Sequence, residues 1–150
     1  MARRNVFAPI LDGTQPASKV YEDDLVMAFM DIYPFSRGHT LIIPKQLNQR
    51  VYEVPDDMRT RLFDIGNKIG KALRDCEIPC DDLNFLINDG HIANQSVPHV
   101  HLHVVPRTRK NGRAILWRLA TGIANPIRPV NRSRFDNDAK IISEALKKYL

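Results

Sequence analysis

Pro98-His99-Val100-His101-Leu102-His103-Val104-Val105 sets three histidines at alternate positions among aliphatic residues. A period of two has one regular solution, an extended strand, which turns the imidazoles to one face and Val100, Leu102 and Val104 to the other. Same-face neighbours on a strand stand about 6.5 to 7 Å apart, so the Cα atoms of His99 and His103 are about 13 Å apart. Three kinds of chemistry fit such a row. A zinc ion reaches nitrogens at about 2 Å, so it bridges two neighbours and takes further ligands from elsewhere, with His39 and His91 as candidates. A purely structural row obliges each imidazole to find its own hydrogen-bond partner over an apolar strand. The third reading is nucleophilic and acid–base chemistry, because imidazole has an unperturbed pKa near neutrality and neighbouring rings can divide the roles of nucleophile, orienter and proton donor. Just upstream, Gly90-His91-Ile92-Ala93-Asn94-Gln95-Ser96-Val97 is a loop of small and amide residues suited to turning N–H groups and hydroxyls toward phosphate oxygens. Loop and strand together favour the third reading, at a phosphate site with no metal.

The rest of the chain supplies a sheet for this strand. Leu25 to Ile32 is apolar and ends before Pro34, and Thr40-Leu41-Ile42-Ile43 is β-branched and stops at Pro44, which predicts two strands. Tyr33 to His39 contains proline, serine and glycine and predicts an antiparallel hairpin between them. After Pro55, Asp56 and Asp57 are candidate caps for a helix whose buried face is Met58, Leu62, Ile65, Ile69 and Ala72. Gly66 and Gly70, one turn apart, permit close approach to a sheet or to a second copy, or are merely tolerated on a surface. Pro79 closes the helical region, Leu83 to Ile87 predicts another strand before Asn88-Asp89-Gly90, and a terminal amphipathic helix begins near Ser133, with Ile141, Ile142, Ala145, Leu146 and Tyr149 inward. Strands joined by short links, with one long helix available for a crossover, make the fold class α+β.

The 150 residues, 43% of them hydrophobic and 26% charged, suit one domain, with a core over about 5–107 and an extension over 107–150. No membrane-length apolar run or secretory leader is present, and Cys76 and Cys80 are too few for a disulfide framework, so a reducing cytoplasm is expected. The net charge of +5 is unevenly placed. Arg107, Arg109, Lys110, Arg113, Arg118, Arg128, Arg132 and Arg134 lie in one stretch free of acids, leaving 14 basic against 17 acidic residues elsewhere. That stretch reads either as an electrostatic funnel for a polyphosphate or RNA, or as a solvated connection.

His99-Val100-His101-Leu102-His103-Val104-Val105 follows the pattern His-φ-His-φ-His-φ-φ and resembles the signature of the histidine triad (HIT) superfamily of nucleotide hydrolases and transferases. The resemblance runs from about residue 5 to 107. It takes in Val20 to Asp24, Ala28-Phe29-Met30-Asp31-Ile32-Tyr33-Pro34, Gly38 to Lys45, and Asn88-Asp89-Gly90 followed by Gln95-Ser96-Val97. It implies a five-stranded antiparallel sheet, a homodimer that joins two sheets into ten strands, and action at the α-phosphate of a purine nucleotide. By position, His101 is the implied nucleophile, forming a nucleotidyl-histidine intermediate that water hydrolyses. The His99 carbonyl orients the His101 ring and His39 supports the His99 side chain. His103, Gln95 and Ser96 contact phosphate or leaving group, and Asn94, where many relatives carry glycine, belongs to the same loop. Asp31 is the implied acceptor for the ribose hydroxyls, Asn88 lines the nucleotide site, and Phe7, Ile10, Phe29 and Ile32 form the base pocket.

Three departures sharpen the expectation. The uridylyltransferase branch carries glutamine where His103 stands, so hydrolysis is favoured over transfer. Many relatives begin with a zinc-binding Cys-x-x-Cys pair, here replaced by Asn5-Val6-Phe7-Ala8, and Cys76-x-x-x-Cys80 straddles Pro79 without a second pair. No obligatory cofactor is therefore expected, with Mg²⁺ carried by a polyphosphate substrate as the exception. Val104-Val105-Pro106-Arg107 looks like the bacterial and Fhit-like dinucleoside polyphosphate hydrolases, whose second nucleotide Trp117 and the basic stretch would contact. A phosphoramidase resembling the Hint branch is the alternative. The competing classes are a non-catalytic nucleotide-binding module and a nucleic-acid-binding protein built on the basic stretch.

Overall fold

The computed structural model describes residues 5–110, 112–113 and 131–150. Five antiparallel strands, β1 (Lys19–Glu22), β2 (Val26–Met30), β3 (Thr40–Pro44), β4 (Asp82–Ile87) and β5 (Leu102–Arg107), form one sheet in the order β1-β2-β3-β5-β4. The helices are α1 (Ala8–Leu11), α2 (Asp56–Asp75) and α3 (Arg132–Leu146). The expected hairpin is present, with Val26 opposite Pro44 and Met30 opposite Thr40.

Residue parity divides the sheet. Even-numbered Val26, Ala28, Ile42, Leu102 and Val104 face the helices and join Leu62, Ile65, Ile69, Ala72 and Leu73 of α2 and Ala139, Ile142 and Leu146 of α3 in the main core. Odd-numbered Met27, Phe29, Leu41 and Ile43 face the other way and meet Phe7 in a second, smaller cluster. Both faces are thus covered, and β2 and β3 are buried at every position. Gly66 and Gly70 serve the approach of α2 to the sheet: a Cβ on Gly66 would lie 2.8 Å from Leu102 Cδ2, and one on Gly70 2.8 Å from Leu83 Cδ1.

Three expectations need correction, and one strand, β1, has no signal in its own residues because it has a single buried side chain, Val20. Asp56 and Asp57 are not caps: Pro55 occupies that position, and the two carboxylates lie in the first turn, where they complement the helix dipole. Met58 is only half-buried. The histidine row is a strand only from Leu102, because the β3–β5 ladder pairs Thr40, Leu41 and Ile42 with Val104, His103 and Leu102 and goes no further. Beyond it Val100 N donates to Asn48 O and His99 N to Val97 O, so His99 to His101 are held by a loop instead of a neighbouring strand.

Candidate active site

The odd-numbered face of β2, β3 and β5 opens into a cavity of about 710 Å³. His101 and His103 line it, as do Asp31, Ile32, Asn88, Asn94, Ser96, Phe7, Ile10 and Phe29 of the expected site. His99 and His39 stand behind these, both fully buried.

Each ring has a partner that fixes where its hydrogen sits. His101 Nδ1 lies 2.7 Å from His99 O, and a carbonyl only accepts, so Nδ1 carries the hydrogen and the lone pair is on Nε2. His39 Nδ1 accepts from Phe35 N–H at 3.1 Å, which leaves the hydrogen on Nε2; that N–H then donates to His103 Nδ1 at 2.9 Å. The hydrogen of His103 is accordingly on Nε2. His99 Nε2 donates to Pro44 O at 3.0 Å, and its Nδ1 accepts from the Asn5 side-chain amide at 3.5 Å. Aromatic contacts hold the ring planes: Phe35 stacks on His39 at 5.2 Å, and Phe7 meets His101 edge-on at 5.4 Å. Among the four rings, His101 alone therefore has its hydrogen on Nδ1 and a bare Nε2.

Two roles implied by the resemblance are corrected. His39 supports His103, not His99, because the antiparallel register puts His39 at the start of β3 and His99 beside Pro44 at its other end. Gln95 does not line the cavity: its Oε1 accepts from Gly90 N at 2.9 Å and its Nε2 donates to Gln49 O at 2.9 Å, so the side chain clasps the loop from beneath. The loop turns on Asn94 at φ +63°, left-handed backbone that glycine adopts freely and asparagine tolerates, which explains the glycine–asparagine exchange at this position. His91 is exposed on the same turn and does not line the cavity.

Burial lowers the pKa of all four histidines, His39 and His103 to about 3; a neighbouring ring adds to the effect at His39, His99 and His103, whereas the His99 carbonyl and Asp31 oppose it at His101. Burial raises the Asp31 carboxyl above the usual range, against the Tyr33 N–H and the nearby histidines that lower it. Asp31, His39 and His103 offer ligand atoms within 4.8 Å of one another, yet the nitrogen that His39 presents to the group carries its hydrogen and that of His103 accepts it. This is a hydrogen-bond relay and does not suit a metal. The zinc of Cys-x-x-Cys relatives does not fit either. Ala8 has no donor, and Asn5 accepts from Phe7 N and Ala8 N while bonding His99. Cys76 and Cys80 are half-buried free thiols with pKa values raised by burial, which disfavours the reactive thiolate.

The sequence reading missed Leu41, Val97 and Arg132 on the cavity wall. Leu41 was within reach, since it shares the parity of His103; Arg132, from the far end of the chain, has no sequence signal. Trp117, Arg118 and Arg128 lie outside the described residues. No helix among the described residues is long and apolar enough to cross a membrane.

Residues 12–110 match the family model described as HIT domain. The chain is 42% identical over 118 residues to Protein hit of Bacillus subtilis, covering 78% of this chain and 81% of that one. It is 33% identical over 144 residues to the adenosine 5'-monophosphoramidase HNT1 of Saccharomyces cerevisiae, covering 95% and 81%. The crystal structure of a zinc-bound histidine triad family protein from Mycobacterium smegmatis superimposes with a TM-score of 0.77 at 31% identity, covering 96% and 94%.

Histidines held neutral in the fold take up protons on unfolding once the pH is below their unfolded value of about 6.5. Their contribution to stability is complete above that pH and is lost progressively as pH falls toward about 3, where His39 and His103 titrate in the folded state. Each costs on the order of 1 kcal/mol per pH unit in that window, and the raised Asp31, acting in the opposite sense, is one group against four. The urea midpoint should hold between pH 8 and 7 and drop steeply from pH 6.5 to 5; equal midpoints at pH 7.5 and 5 would contradict buried neutral rings.

Proposed function

The chain belongs to the histidine triad (HIT) family of nucleotide hydrolases, and from that membership we propose that it cleaves nucleoside 5'-phosphoramidates through a covalent intermediate on His101. The observation that carries the proposal is the tautomer of His101, whose bare Nε2 faces the cavity while the His99 carbonyl holds the opposite nitrogen. Nε2 attacks the α-phosphorus, a P–N(His) bond forms, and the bond to the amine breaks as the departing nitrogen takes up a proton from solvent, which the water of the second step returns. His103 Nε2–H, polarised by His39 behind it, donates a hydrogen bond to the phosphoryl oxygens or the departing group. Water then attacks the same phosphorus, releases the nucleoside monophosphate and returns His101 to its starting state. Asn94 and Ser96 on the loop border the phosphate end, and Asp31 receives the ribose hydroxyls. No residue set among those described is assigned a metal in this scheme, and Mg²⁺ enters only with a polyphosphate substrate.

The yeast relative named as a phosphoramidase aligns over nearly the whole chain, which is why an amine leaving group is preferred here. Dinucleoside polyphosphates are the second substrate class, favoured by Val104 to Arg107 and the basic stretch. Two homologous copies are part of the reading. Among the described residues β4 is an open sheet edge, Phe85 on it is 42% exposed, and Phe63, 51% exposed, lies one turn before Gly66 on the side of α2 that approaches Phe85. Edge-to-edge pairing of β4 strands covers this surface and yields ten continuous strands.

Wild type should release AMP from adenosine 5'-phosphoramidate faster than from matched diadenosine tetraphosphate, and His101→Asn should lose at least roughly three orders of magnitude on both. AMP release undiminished in His101→Asn would end the covalent scheme, and a faster polyphosphate reaction would reverse the substrate order. Sedimentation at micromolar concentration should give twice the chain mass of 17.2 kDa; a monomer there would remove the β4 pairing.

A further inference from the structure

Arg132 is the first residue of α3, outside residues 12–110 that match the family model, and it reaches the wall of the cavity. Its position along the cavity follows from the sheet. Arg132 Nη1 donates to Pro16 O at 3.4 Å, just before β1, and Met30 N donates to Ser18 O, so this segment runs beside Asp31 and Ile32. In the order β1-β2-β3-β5, β1 is three strand spacings from the histidine strand, about 14 Å. The guanidinium therefore stands at the end remote from His101, with Ile10, Gln15 and Ile32, where the base of a nucleotide lies when its α-phosphate is at His101. Among the described residues the Pro16 carbonyl is its one hydrogen-bond partner, and the long contact uses one of five donors.

Resting on the nucleotide reading above, we infer that Arg132 is a specificity-determining residue that selects 6-oxopurine nucleotides, guanine or hypoxanthine, over adenine. A guanidinium offers two parallel donors and no acceptor. The O6 and N7 edge of a 6-oxopurine presents two acceptors in matching geometry, whereas adenine presents N7 beside the N6 amino group, a donor facing a donor. A second phosphate is disfavoured by Asp31, an acidic side chain lining the same cavity. α3 places the residue firmly, since Asn131 caps the helix by accepting from Arg134 N and Ala139, Ile142 and Leu146 are buried in the core.

The test is calorimetric titration of the full chain with GMP, IMP and AMP, for wild type and Arg132→Ala. The expected result is that wild type binds GMP and IMP about five- to a hundredfold more tightly than AMP, and that the ratio falls to within twofold of unity in Arg132→Ala with an unchanged melting temperature. Equal wild-type affinities, IMP grouping with AMP, or a ratio that survives Arg132→Ala would each overturn the inference while leaving the nucleotide reading intact. Failure of all three nucleotides to bind would overturn both.

Discussion

A carbonyl oxygen can only accept, and the His99 carbonyl sits 2.7 Å from Nδ1 of His101. That one contact puts the His101 hydrogen on the inner nitrogen and the lone pair on the outer one, which is what a nucleophile at neutral pH requires. The arrangement needs His99 in a fixed place, and His99 is fixed because its own ring is tied to Pro44 O on one side and Asn5 on the other. Burial then keeps the rings neutral, so that the lone pair is available instead of being taken by a proton. Asn5 does this tethering with hydrogen bonds, joining the start of α1 to the histidine segment.

The second constraint is parity. A strand alternates its faces, so one sheet carries the helix-packed core on its even positions and the cavity on its odd ones. The interruption of the ladder before Leu102 belongs to the site and is no defect. Freed from β3, His99 can turn its carbonyl back toward its neighbour's ring two residues on, a contact a continuous ladder would claim for the adjacent strand. Asp31 comes into reach of His39 and His103 because β2 is adjacent to β3 and ends at Met30, leaving Asp31 at the mouth of the hairpin.

What could be read from the sequence follows from what sequence periodicity encodes. The α2 face at Leu62, Ile65, Ile69 and Ala72 and the strands from Val26 and Thr40 come from local repeats and are found, whereas the histidine row follows its repeat as a strand only from Leu102 onward. The residues of the nucleotide cavity came through the resemblance, since Phe7, Asp31 and Ser96 meet only after the chain has folded. Register was invisible: nothing in the order of residues says that His39 meets His103 and not His99, because that depends on which residues of β3 and β5 stand opposite. Gln95 carries a polar head near a phosphate loop, but in the fold Gly90 and Gln49 already occupy it. Arg132 is separated from the cavity strands by more than twenty residues of sequence with no periodic signal toward them.

The central claim is that backbone and side-chain partners lock four neutral imidazoles into defined tautomers, with His101 the exception among them. Long-range ¹H–¹⁵N correlation spectra of the histidine rings at pH 7 test it directly. The account predicts four neutral rings, with hydrogen on Nδ1 in His101 and on Nε2 in His39, His99 and His103. A His101 ring that is protonated on both nitrogens, or that carries its hydrogen on Nε2, would contradict it, because the nitrogen facing the cavity would then have no lone pair to offer.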